Sequence, residues 1–112
     1  MIAGDEADTL RAIFVDEQSR LVGFERLGSS RDPWPQEGRR RLFDRGYTAG
    51  AAGIIFARGH RQGAPVATPE EKKEAMDLAR YGASLDVVVL DYLVVGRKEA
   101  KGMFALRGVD RL

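Results

Sequence analysis

The spacing of apolar residues divides the chain into five extended segments and two helices. Residues 10–15 and 21–27 are β-rich runs separated by a short polar segment, which predicts a β-hairpin. Residues 51–57 are apolar throughout, as in a central strand that is buried on both faces. A further buried strand is predicted over 87–95, and a short last strand over 103–106 after a charged hairpin loop.

Two segments carry helix signals. Leu42 and Phe43 follow a charged run and predict a short helix over 36–45 that ends near Gly46. Thr68, Pro69 and Glu71 supply the N-cap, first-turn proline and third-position glutamate of a capping box, so the second helix begins there. Its predicted buried stripe is Ala75, Leu78, Ala79 and Gly82, and its predicted solvent-facing residues are Lys72, Lys73, Glu74, Asp77 and Arg80.

The segments combine into one small domain. Residues 28–35 contain two prolines and predict a surface loop that Trp34 anchors. The order strand, strand, helix, strand, helix, strand, strand favours an α/β domain with a mixed central sheet and a helix on each side. A chain of 112 residues is long enough for one such core. We assign 1–8 to an N-terminal segment and 9–112 to the domain.

Composition narrows the possible chemistry. The 18 basic residues nearly cancel the 17 acidic ones, so net charge gives no case for nucleic acid. The chain has no cysteine, which excludes disulfides, thiolate zinc sites and thiol nucleophiles. The acidic N-terminus lacks an apolar targeting segment, and no run reaches the roughly 18 apolar residues of a membrane span. We therefore expect a cytoplasmic protein without membrane contacts.

One stretch has the character of a site. The apolar run over 51–57 leads into a glycine-containing loop that holds the single histidine, His60. Glu71 follows eleven positions later, in the first turn of the predicted helix. Without cysteine, any metal must be held by histidine, carboxylates and water.

This stretch resembles a known signature. Residues 58–71 have the spacing of the motif His-x-His-Pro-Ser-Gly-x-Pro-x-Pro-Ser-x-x-Asp of the RadC-like JAB/MPN (JAMM) family. The glycine, second proline and hydroxyl positions of that motif are met by Gly63, Pro65 and Thr68. The resemblance implies a JAB/MPN-like α/β fold in a bacterial protein.

Two further segments extend the resemblance. Residues 90–96 are similar to the family's Leu-Asp-His followed by three aliphatic residues and Gly, with Tyr92 at the histidine position. Glu25 falls where the family has a strand glutamate. The resemblance covers roughly residues 9–108, which makes 9–112 a RadC-like JAB domain.

The resemblance implies roles for individual residues. In active members two histidines and an aspartate bind one zinc, a strand glutamate deprotonates the zinc-bound water, and a serine helps to hold the oxyanion. By position, His60 and Glu71 would be metal ligands, Glu25 the general base, and Thr68 the oxyanion-binding hydroxyl. Arg58 stands at the first histidine, where a permanently charged donor cannot ligate zinc.

An arginine at position 58 therefore indicates that the metallopeptidase motif is degenerate and that the domain binds no cofactor. We expect a non-catalytic module that holds a peptide or partner protein in the remnant active-site groove, with Arg58 paired to Glu25 or Glu71. The alternative is a zinc-dependent peptidase or isopeptidase with an atypical ligand set, completed by Asp91 or by a partner chain. Another alternative is a DNA-associated accessory protein, because the family name is linked to DNA repair.

Ordinary structural roles compete with these assignments. A lone loop histidine usually faces solvent, and the capping box alone accounts for Glu71 and Thr68. Glu25 fits an outward-facing strand position opposite a cation. Asp91 lies in an apolar run and needs partners if it is buried. The basic cluster over 39–41 fits a solvated helix face better than a DNA contact.

Overall fold

Five strands and two helices make up the part of the chain that the computed structural model describes, residues 9–29, 36–60, 66–96 and 100–102. Their order confirms the predicted succession of strands and helices. They are β1 (Thr9–Val15), β2 (Leu21–Ser29), α1 (Gln36–Thr48), β3 (Gly53–Gly59), α2 (Pro69–Ser84), β4 (Val88–Val95) and β5 (Ala100–Gly102).

The strands form one mixed sheet in the order β2-β1-β3-β4-β5. β1 is antiparallel to both β2 and β3, whereas β3 and β4 are parallel and are joined through α2. The prediction of a mixed α/β sheet with β3 at its centre is confirmed. The β1–β2 hairpin turns over a polar segment in which the Asp16 carboxylate accepts the Gln18 and Arg20 backbone N–H groups, at 2.9 and 2.8 Å.

Both helices pack against the same face of the sheet. Leu10, Ala12 and Phe14 of β1 lie opposite Arg58, Phe56 and Ile54 of β3, so these six side chains share a face. One core cluster joins that face to residues of both helices. The rings of Phe43 in α1 and Tyr81 in α2 are 5.1 Å apart. The prediction that one helix packs on each side of the sheet is therefore wrong.

Details of the helices also differ from the predictions. α1 does not end near Gly46 but continues to Thr48. The glycine lets the helix pack closely on β1, since a Cβ at this position would lie 3.2 Å from the Phe14 ring. The capping box at the start of α2 is confirmed, with Thr68 at the N-cap and Glu71 bonded back to it. Within the buried stripe, Ala79 is only half-buried.

Several predictions fall outside the described residues. These are the N-terminal segment 1–8, the loop over 30–35 with Trp34, the loop residues 61–65, and the last strand over 103–106. Residues 28 and 29 belong to β2, and the last described strand begins at Ala100 rather than Met103. Neither described helix has the length and apolar character that crossing a membrane requires.

Candidate functional site

The end of β3 and the first turns of α2 bring the predicted site residues together. Arg58 is the next-to-last residue of β3, on the face that carries the helices. His60 follows the strand, and its backbone N–H donates to the Val95 carbonyl at 2.8 Å, which continues the parallel pairing with β4 by one residue. The crossover then places the N-terminus of α2 beside the carboxyl end of β3.

His60, Glu71 and Thr68 form one connected group. The His60 Nε2 atom lies 2.8 and 3.0 Å from the two carboxylate oxygens of Glu71. The same carboxylate accepts the Thr68 backbone N–H at 2.9 Å, while the Thr68 hydroxyl accepts the Glu71 N–H at 3.1 Å. Glu71 therefore serves the capping box and the site at once, and His60 is half-buried rather than a solvent-facing loop residue.

Arg58 forms a second group beside the first. Its Nε donates to the Tyr92 hydroxyl at 3.0 Å, and its Nη2 donates to Glu74 Oε1 at 3.1 Å. The Tyr92 hydroxyl in turn donates to Glu74 Oε1. Arg58 Nε also lies 3.8 Å from Glu71 Oε2, which links the two groups and confirms the predicted pairing of Arg58 with Glu71.

Burial controls the protonation states in this second group. Burial raises the pKa of the Tyr92 phenol far above its usual value near 10, against the opposing effect of Arg58, so Tyr92 remains neutral and can donate to Glu74. For Arg58, burial alone would lower the pKa, but the oxygens of Tyr92 and Glu74 outweigh it and raise that pKa. The guanidinium is a permanent positive charge among the site's carboxylates.

Two predicted site residues lie elsewhere. The Glu25 carboxylate is bound by Arg45 of α1, so the proposed general base is engaged by a different cation. Asp91 pairs in register with Ile55, which puts its side chain on the face opposite Arg58. There it is fully buried, accepts the Tyr92 N–H at 2.8 Å and lies against Gly102 of β5. Asp91 therefore cannot complete a metal site with His60, contrary to the alternative raised above.

Comparison with known proteins identifies the family. A family model described as RadC-like JAB domain matches residues 1–109. The chain belongs to the RadC-like JAB domain family. It is 29% identical over 107 residues to a UPF0758 protein of Vibrio cholerae serotype O1, covering 96% of this chain and 66% of that protein.

Other RadC-like relatives show similar identity. A UPF0758 protein of Leptothrix cholodnii is 34% identical over 104 residues, covering 91% of this chain and 46% of that protein. One from Legionella pneumophila is 29% identical over 104 residues, covering 88% and 43%. This RadC-like chain thus spans between about two fifths and two thirds of the length of the curated relatives it matches.

The zinc of active JAB/MPN proteins does not fit this RadC-like site. A catalytic zinc site needs three protein ligands and an open position, and here only His60 and Glu71 stand at ligand positions. The Arg58 guanidinium, 3.8 Å from the Glu71 carboxylate, adds a positive charge where the dication would bind. In the described ranges, no group of three or more His, Asp or Glu side chains has the spacing to hold a metal ion.

Two members of the RadC-like site are not among the site residues that the sequence predicts. Glu74 was assigned to solvent, yet it receives both the Arg58 guanidinium and the Tyr92 hydroxyl. Its position three residues after Glu71 was the available signal, because residues at i and i+3 share a helix face. Tyr92 was matched to a family position without a role, although a tyrosine in a buried strand usually needs a partner for its hydroxyl.

Proposed function

We propose that this RadC-like JAB domain is a non-catalytic binding module in which a guanidinium occupies the place of the metal's positive charge. The observation that carries the proposal is the ion pairing of Arg58 with Glu74 at 3.1 Å and with Glu71 at 3.8 Å. A guanidinium satisfies these carboxylates without activating a water molecule, which is the step that zinc supplies to hydrolysis.

A paired replacement supports this proposal. Two of the three positions at which the resembled motifs carry histidine are occupied here by Arg58 and Tyr92, and these two side chains bond to each other at 3.0 Å. Glu74 accepts from both. The substitutions thus fit one another, as expected of a pocket whose charge balance is kept without metal.

The proposed binding role follows from the features of the site that do not depend on a metal. The cluster of Arg58, Glu74 and Tyr92 fixes the end of β3 against α2, where the resemblance implies the family's active-site groove, but it provides no activated nucleophile. Recognition of a peptide or a partner protein is the function such a groove can still perform. We include in the same proposal that this binding module acts in DNA repair, and this part rests on the family name alone.

Zinc stoichiometry tests the proposal. The full chain is purified without chelator, dialysed against zinc and then buffer, and analysed for metal, with His60→Ala as the background control. The double variant Arg58→His/Glu71→Asp restores two family ligand positions and serves as the positive control. We expect zinc near background in the wild type and bound zinc in the double variant. One zinc per wild-type chain, lost in His60→Ala, would overturn the proposal and revive a zinc hydrolase with an unusual ligand set.

A further inference from the structure

We draw no further inference here: the strongest candidate, the apolar patch on the sheet face opposite the two helices, where Phe24 of β2 and Val88 of β4 are 55% and 51% exposed, carries no proposal because nothing in the described part of the structure shows what covers it.

Discussion

Truncation of Arg58 to alanine is the sharpest test of the ionic cluster. The side chain is only 12% exposed, and it holds Glu74, Tyr92 and Glu71 together. Its removal leaves the Glu74 carboxylate, 23% exposed, with the Tyr92 hydroxyl as its remaining bonded partner among the contacts described above. A partly buried carboxylate that has lost its cation is the expected source of the destabilisation.

The magnitude follows from the bonds that are lost. A hydrogen bond to a charged group contributes about 1.5–3 kcal/mol, and the weaker one to the neutral Tyr92 oxygen contributes about 1 kcal/mol. Glu71 retains His60 and the Thr68 N–H, so the 3.8 Å contact adds little. We therefore expect a loss of about 3 kcal/mol in unfolding free energy, at the lower end of the range for breaking a buried pair. For a chain of this size that corresponds to a melting temperature lower by about 12 °C.

Thermal and urea unfolding followed by circular dichroism measure the effect. Arg80→Ala is the matched control, because Arg80 is 73% exposed and makes a surface ion pair with Asp77, so its loss should stay within about 0.5 kcal/mol. Arg58→Lys keeps the charge but not the fork of donors and should fall between the two. Equal melting temperatures for Arg58→Ala and Arg80→Ala would refute the reasoning.

Three further predictions concern other parts of the fold. Thr68→Ala should lower the unfolding free energy by about 1 kcal/mol through loss of the N-cap, and Thr68→Ser should recover most of it; no difference between the two would contradict the cap. Burial raises the pKa of the Tyr92 phenol, so below about pH 10 the phenol is neutral in both the folded and the unfolded state. Above that pH the phenol ionises only in the unfolded state, so stability falls as pH rises. Tyr92→Phe should show a shallower alkaline loss of stability than wild type in urea titrations at pH 9 to 11, and parallel curves would refute this. Gly102→Ala should lower stability by about 1–3 kcal/mol, because an added Cβ would overlap the buried Asp91 carboxylate; an unchanged melting temperature would argue against that packing.

The order of elements was predictable because its signals are local. The capping box at Thr68 and the apolar run of β3 each specify an element within a few residues. The end of α1 was not predictable, since Gly46 is a weak helix former whose value lies in contact with Phe14, a residue 32 positions earlier. The side on which each helix packs depends on contacts such as that between Phe43 and Tyr81, which no local pattern encodes.

The candidate site was predictable in part for the same reason. His60, Glu71 and Arg58 came from a spaced motif, and the structure places them in contact. Glu25 was assigned by position to the site, but Arg45 of α1 competes for its carboxylate, and that competition depends on how the helix docks. The face of Asp91 depends on a register shift between β3 and β4 after Ile54, which a single sequence does not reveal.

The Glu71 carboxylate contacts His60 and also accepts the Thr68 N–H of the capping box, so it couples the site to the first turn of α2. A ligand that bound this carboxylate would have to displace the Thr68 N–H and His60 Nε2, and loss of the Thr68 hydrogen bond opposes such binding by about 1 kcal/mol, or roughly a fivefold loss of affinity. Conversely, a ligand that leaves Glu71 in place would be favoured by the intact helix start. The capping box thus sets a free-energy cost on any ligand that would bind through Glu71.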